Sequence, residues 1–452
     1  MSTGQFITGR TQPQACSSSR PPCLVDPNNA FNRQWVVFTG NSQIRPNDYK
    51  MFGPRLGFAY RIQPNMVIRA SGAILYDLQA GVNQQAQNGS KWPGADSFNG
   101  QNLNRTTVQF NADLPFGQFD PRVPDPTPIR QTGFLYDPRF QNPYSEQWNL
   151  EIQKEFSAGV AVTMGYVGSH NLRSPISGNY NTALTPGPGP VAPRALWPHA
   201  PVVSYDRSIG QGTYHGFQFK GEQRMSGGVS YLIAYTWSKA IDVASSGQFG
   251  VESQSLQNAY DPNSSRSVSG YDIPHNFSAA LIYELPFGRG KRWVADGLAA
   301  RIAGNWQINA IALMRSGQAF TPVMNIDVAN VGAFDAQSRA RPNLIGNARR
   351  AQPTPEEWFN RSAFAAPAAF TFGTAGRNQI RTDGYENIDL SLFREDKITE
   401  SIKTQLRIEA FNLFNHPVFG IPQTMFTNPQ FGRVGGTVST ARQVQLGLKV
   451  LF

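Results

Sequence analysis

Apolar and polar side chains alternate one for one at the end of the sequence. Val444, Leu446, Leu448, Val450 and Phe452 fall on one side, and Gln443, Gln445, Gly447 and Lys449 on the other. A strand turns successive side chains to opposite faces, so such a run has one apolar face and one wet face. The pattern recurs. Trp148, Leu150 and Ile152 alternate with Gln147, Asn149, Glu151 and Gln153, and Tyr231, Ile233, Tyr235 and Trp237 alternate with Ser230, Thr236 and Ser238. Eleven strands are predicted, at 55–62, 66–77, 144–156, 159–168, 213–225, 228–239, 274–285, 304–315, 385–397, 402–414 and 441–452. A strand in a soluble sandwich usually has about 5–6 residues. One that crosses a bilayer needs ~9–11, tilted, and most of the predicted strands have 10–13 residues. The fold class is therefore all-β, an antiparallel transmembrane β-barrel.

The connections alternate as well. Gln63-Pro64-Asn65, Ser157-Ala158, Ser226-Gly227 and residues 399–401 read as tight turns, with 286–303 as one longer connection on the same side. The segments 78–143, 169–212, 240–273, 316–384 and 415–440 are rich in Pro, Gly, Asn and Ser and read as long loops on the other side. Outer-membrane barrels combine short periplasmic turns with longer extracellular loops. Composition agrees: charged residues are 15%, against about 25% in a typical soluble domain. No apolar run approaches the ~18 residues of a membrane-spanning helix.

Charge placement follows the same phase. Lys220, Glu222, Arg224, Arg407, Glu409 and Lys449 fall on the inner face, while the outward Lys154 and Arg394 lie close to the turn end of their strands. A Lys or Arg facing lipid costs ~2–4 kcal/mol at the midplane and little near the interface. Tyr60, Trp148, Tyr231, Trp237, Tyr283 and Trp306 near strand ends suit interfacial aromatic girdles.

Other features carry no chemistry. The net charge is +10, but the basic residues are scattered. The doublets Lys291-Arg292 and Arg349-Arg350 read as solvated loop residues, not as a nucleic-acid footprint. Cys16 and Cys23, separated by six residues, form either a short-loop disulfide or inert thiols. His170, His199, His215, His275 and His416 lack metal-ligand spacing, so no metal or cofactor is expected. No nucleophile elbow, zinc-protease or phosphate-loop motif is present, and the carboxylates form no acid/base pair, so the chain is read as a non-enzyme. Asp261, Asn263, Asp335, Asp383 and Asn387 read as solvated turns, with Ca²⁺ or ligand binding as the other reading. Gly187-Pro188-Gly189-Pro190 reads as a flexible loop. The stretch 411–417 marks a strand end at which Pro417 stops pairing.

In several segments the chain resembles the C-terminal barrel of a TonB-dependent outer-membrane transporter, of the Oar-like branch that carries a carboxypeptidase regulatory-like domain. They are GPRLGFAYRI (53–62), NPYSEQWNLEIQKEF (142–156), YVGSHNLR (166–173), YTWSKAIDVASS (235–246), DIPHNFSAALIYELPFGRGK (272–291), WQINAIALMRSGQAFTP (306–322), RIEAFNLFNHPVFG (407–420) and QLGLKVLF (445–452). The resemblance covers about residues 50–452 and implies energised uptake of a ligand across the outer membrane through the TonB complex. The ligand would be a glycan, a peptide or a chelate, received by loops 78–143 and 316–384. Plugged barrels have 22 strands, so the chain is expected to be the distal half of one, with about 11–12 strands. Residues 51–452 would be the barrel segment. Residues 1–50 would be a tail without a plug, with Gln34 to Thr39 as an optional twelfth strand. Met1 to Arg20 lacks the apolar segment of a secretory signal, so an exported chain would be a fragment or begin at the wrong Met. Alone, it is expected neither to close nor to transport.

The last eight residues have the form of the outer-membrane assembly signal. Gln445, Gly447, Val450 and Phe452 are its candidate residues, with the barrel assembly machinery as partner and outer-membrane lipid around it. The alternatives are an extracellular adhesive or glycan-binding β module and a small passive outer-membrane pore.

Overall fold

The computed structural model describes residues 6–8, 36–38, 49–77, 133–136, 141–156, 159–179, 181–195, 203–245, 256–294, 296–332, 340–400 and 402–452. All eleven expected strands are present: β1 (Arg55–Gln63), β2 (Met66–Tyr76), β3 (Tyr144–Glu155), β4 (Val160–Asn179), β5 (Val203–Ser226), β6 (Val229–Asp242), β7 (His275–Glu284), β8 (Trp306–Arg315), β9 (Tyr385–Lys397), β10 (Lys403–Phe411) and β11 (Gln443–Leu451). They lie side by side in chain order, each antiparallel to the next, from β1 at one edge to β11 at the other. Eleven antiparallel strands leave the two edge strands running in the same direction.

Register carries the apolar face across the array. Tyr60, Ile68, Ile152, Met164, Phe219, Tyr235, Phe277 and Met314 are successive partners in one row. Tyr283, Ile308, Leu392, Ile408 and Leu446 form another. This face stays uncovered by protein: Leu446 is 76% and Leu448 73% exposed. A slip of one residue in any pair would turn its apolar set to the wrong side. The opposite face is polar and internally paired. Arg69 bridges Glu151 at 3.0 Å and Gln153 at 2.8 Å, Lys220 bridges Glu222 at 2.7 Å, and Gln445 donates to Glu409 at 2.6 Å.

The turn end is simple. Gly227 and Gly228 connect β5 to β6 with φ of 60° and 83°, left-handed values that cost a Cβ-bearing residue roughly 1–2 kcal/mol. The β7–β8 connection contains the helix α1 (Gly297–Ala303), for which sequence gave no indication. Among the described residues no helix is long and apolar enough to cross a membrane.

Four expectations change. First, β4 and β5 run well past 168 and begin well before 213, so much of segment 169–212 is hairpin, not loop, with bulges around Ser174. The short strand Gly133–Tyr136 pairs in parallel with Val203–Asp206 at its tip. Second, β10 stops at Phe411, six residues before Pro417. Asn412 adopts φ 49°, and its Nδ2 donates to the His416 and Thr440 carbonyls, which ends the ladder before proline is reached. Third, the described part of 34–39, Val36–Phe38, is not in the array. Val36–Phe38 pairs in parallel with Phe6–Thr8 in a separate two-stranded sheet. Fourth, segments 316–384 and 415–440 are not open loops. They hold the largest hydrophobic core cluster found among the described residues.

Candidate functional site

That core is built by aromatic residues without regular spacing. Phe320, Trp358, Phe359, Phe364, Ile380 and Phe431 are buried together, and Leu344, Phe419, Phe426 and Val434 pack around them. Phe359 is 1% exposed. It meets Phe431 edge to face at a centroid distance of 5.0 Å and Phe364 at 5.7 Å, the geometry in which ring edges face ring clouds. Short antiparallel pairs, Ala319–Phe320 with Ile380–Arg381 and Asn343–Leu344 with Phe364–Ala365, fix the backbone around it. The result is a folded cap at the loop end of the array.

One short stretch, 376–382, fastens the cap to the strands. Arg377 is buried and its guanidinium is fully used. It pairs with the Asp242 carboxylate at the end of β6 and donates to the carbonyls of Asp242 at 2.8 Å and Ser265 at 2.9 Å. Arg381 pairs with Asp272, which is fully buried, and donates to the carbonyls of Asp272 at 2.9 Å and Gly317 at 3.0 Å. The second oxygen of Asp272 accepts from the Ala240 amide. Gly317 is required here, because a Cβ would sit 1.9 Å from the Thr382 carbonyl oxygen. Trp358 Nε1 donates to the Arg381 carbonyl at 2.8 Å, which joins the fastening to the aromatic core. Removing one partner of the buried Arg377–Asp242 pair strands the other charge and costs ~3–5 kcal/mol.

A second fastening holds the segment expected to be flexible. Arg194 donates to the carbonyls of Thr185 at 2.8 Å and Asn330 at 2.7 Å. Asn330 Nδ2 donates to those of Gly187 and Gly189, both at 2.8 Å. The Gly-Pro repeat is thus pinned by its own carbonyls, and Ala183, Ala329 and Val331 are buried beside it. Tyr260 also serves the cap. Its hydroxyl donates to the Thr182 carbonyl at 3.0 Å, and burial pushes its phenol pKa above the usual value.

The residues singled out in sequence are used locally. Asp261 accepts from the Ser264 amide, Asp383 from the Phe419 amide, and Asn387 donates to Asp389. Among the described residues no three acidic, His or Cys side chains come together. Asp335, Cys16, Cys23, His199 and most of loop 78–143 lie outside the described residues. His215 and His275 meet the hydroxyls of Tyr166 at 2.6 Å and Tyr235 at 2.7 Å, and His170 lies 3.5 Å from Glu146. Gln445, Gly447 and Val450 lie on the edge strand β11, and Phe452 beyond it is fully exposed. Sequence reasoning missed Arg377, Arg381, Arg194 and Asn330. Their surroundings of Gly, Asn, Ser and Pro look like solvated loop, and nothing local signals that these side chains are held by distant carbonyls and carboxylates.

The cap offers a contact surface. Ile326, Ile345 and Phe370 remain exposed on it, with the amide of Asn347 and the guanidinium of Arg349 nearby in sequence. Such a surface can hold a ligand by apolar contact and hydrogen bonding.

The family described as outer membrane beta barrel domain matches residues 8–445. No curated protein matches the chain. Similar solved structures include the ferric-catecholate import receptor Fiu from E. coli K12, with 11% identity over 88% of this chain and 34% of that one at a TM-score of 0.39. The FrpB iron transporter from Neisseria meningitidis has 10% identity over 88% of this chain and 39% of that one, at 0.39. The pyoverdine receptor FpvA from Pseudomonas aeruginosa has 10% identity over 88% and 36%, at 0.42. The chain thus spans between a third and two fifths of the length of these structures.

Proposed function

This chain belongs to the family of outer-membrane β-barrel domains, and on that premise we propose that it is the barrel segment of a TonB-dependent uptake receptor whose loop-end cap receives the ligand. The observation that supports this reading most is the array itself. It consists of eleven consecutive antiparallel strands of bilayer length, with a folded cap at the loop end. Eleven is half of the 22 strands of plugged barrels. The proposal assigns residues 51–452 to the barrel and residues 1–50 to a tail. Transport energy comes through the TonB complex acting on a plug outside residues 51–452, and the chain has no catalytic role. Oar-like membership rests on the ordered segments named in the sequence.

The test joins this chain to a plug-bearing proximal half and measures accumulation of labelled chelates, oligosaccharides and peptides in cells with and without TonB. TonB-dependent accumulation by the joined protein, and none by residues 1–452 alone, supports the reading. A TonB-independent leak through residues 1–452 would make the chain a passive pore. A soluble monomer that binds glycans without detergent would make it an adhesive module.

The same proposal assigns Gln445, Gly447, Val450 and Phe452 to the signal read by the barrel assembly machinery. An unpartnered apolar edge strand ending in an aromatic residue is a template on which another strand can pair. Phe452→Asp in the joined protein is expected to abolish outer-membrane assembly. Normal surface labelling of the long loops in that variant would refute the assignment.

A further inference from the structure

We propose that the β7–β8 connection, residues 286–304, is a membrane-interface foot that lies on the periplasmic leaflet, with Trp293, Leu298 and Ile302 at the acyl boundary and Arg289, Arg292 and Arg301 on anionic phospholipid headgroups. The connection is on the side of the tight turns, which in outer-membrane barrels is the periplasmic side. Its apolar side chains are not folded inward. Leu298 is 72%, Ile302 62% and Trp293 50% exposed, while Ala300 between them is buried. Leu298 and Ile302 are four residues apart on α1 and so share one face of the helix.

Two contacts place α1 on the lipid side of the array. Trp306 Nε1 donates to the Ile302 carbonyl at 3.0 Å, and Arg394 donates to the carbonyls of Ile302 and Arg301, both at 2.8 Å. Trp306 and Arg394 are register partners, two residues along from the Ile308–Leu392 pair. They therefore stand on the uncovered apolar face, and the helix end they hold is continuous with that face. Outward Arg394, the charge that would be costly in lipid, is neutralised by Asp396 and covered by the ring of Trp306.

Charge selects the occupant. Residues 286–304 contain Arg289, Lys291, Arg292 and Arg301 against a single acid, Asp296. Lys291 is held by Glu284 at 2.9 Å, whereas the three arginines are exposed. Arg292 lies over the ring of Trp293, and that ring packs on Phe287 at 5.6 Å. A segment that exposes aromatic and aliphatic side chains together with cations suits the plane of an anionic interface, where the rings and aliphatic groups meet the acyl boundary and the guanidiniums reach the headgroups. The doublet Lys291-Arg292, plain solvated loop in sequence, acquires a role from this position.

The test uses the full chain in vesicles of phosphatidylcholine, with and without phosphatidylglycerol, whose acyl chains carry bromine near the headgroup. Trp293 emission is read as the difference between the chain and its Trp293→Phe variant, which keeps a ring against Phe287. Trp237, on the lipid face of β6, is read in the same way through Trp237→Phe, and vesicles in which it is quenched contain inserted protein. In these vesicles Trp293 is expected to be quenched about twofold more when phosphatidylglycerol is present. The triple variant Arg289→Gln, Arg292→Gln, Arg301→Gln should lose that gain. Trp293 quenched by aqueous iodide and not by bromine, the result for a foot that waits in water for a protein partner, would overturn the proposal. So would bromine quenching that ignores phosphatidylglycerol.

Discussion

The strand array and the cap dispose of their apolar side chains in opposite ways. In the array they stand in straight rows on an uncovered face, as Leu446 and Leu448 do. In the cap they turn inward, as Phe359 and Phe431 do, and polar groups are spent on fastening the segments that carry them. The two regions are folded for two solvents. The array needs a nonpolar medium to complete it, while the cap makes its own interior and stands in water. Transfer of one large apolar side chain from water is worth ~1.5–3 kcal/mol, so removing the medium removes the reason for the array but not for the cap.

The largest effect expected from this contrast is the loss of the array without detergent. The full chain should sediment as aggregate in buffer, and in detergent it should show heat-modifiable gel migration. A detergent-free, cooperatively unfolding monomer would erase the distinction between the regions. Next in size is Phe359→Ala, which opens a cavity in the cap and should cost ~3–5 kcal/mol. Limited proteolysis should then cut within 316–384 while heat-modifiable migration persists. If migration is lost too, the regions fold as one unit. The smallest effect separates the faces of one strand. Leu390→Arg, on the apolar row near the middle of β9, should cost ~2–4 kcal/mol in a bilayer, measured by urea unfolding from vesicles. Ser391→Arg, one residue on and facing the polar side, should cost well under half of that. Equal costs would mean that the phase of the strand is wrong.

The same contrast explains what sequence shows. Inside the bilayer each side chain must choose lipid or the wet face, and that choice writes a period of two. Strands β6 to β9 were legible from it to within a few residues at either end. Beyond the bilayer both faces meet water, and residues 169–179 are strand without alternation, since Gly, Ser and Asn serve on either face. The cap leaves no period at all. Phe320, Phe359, Phe364 and Phe431 meet only after the chain has crossed the array twice more. Arg377 is buried and Arg381 half-buried because Asp242 and Asp272 are brought to them by strands more than a hundred residues away in sequence. Of the candidate site, the edge position of Gln445, Gly447 and Val450 was legible, and the cap that forms the contact surface was not.

The fastening at 376–382 also has a mechanical meaning. One short stretch grips the end of β6 through Asp242, the start of β7 through Asp272 and the exit of β8 through Gly317, and then continues directly into β9. Four strand ends are clamped at one rim, whereas between β5 and β6 the opposite rim has only the Gly227-Gly228 turn. The loop rim thus ties β6 to β9 through one stretch, whereas at the turn rim side-chain fastening joins α1 to β8 and β9. A load pulling on β5 and β6 would spread their Gly227-Gly228 turn before it opened the clamped loop rim.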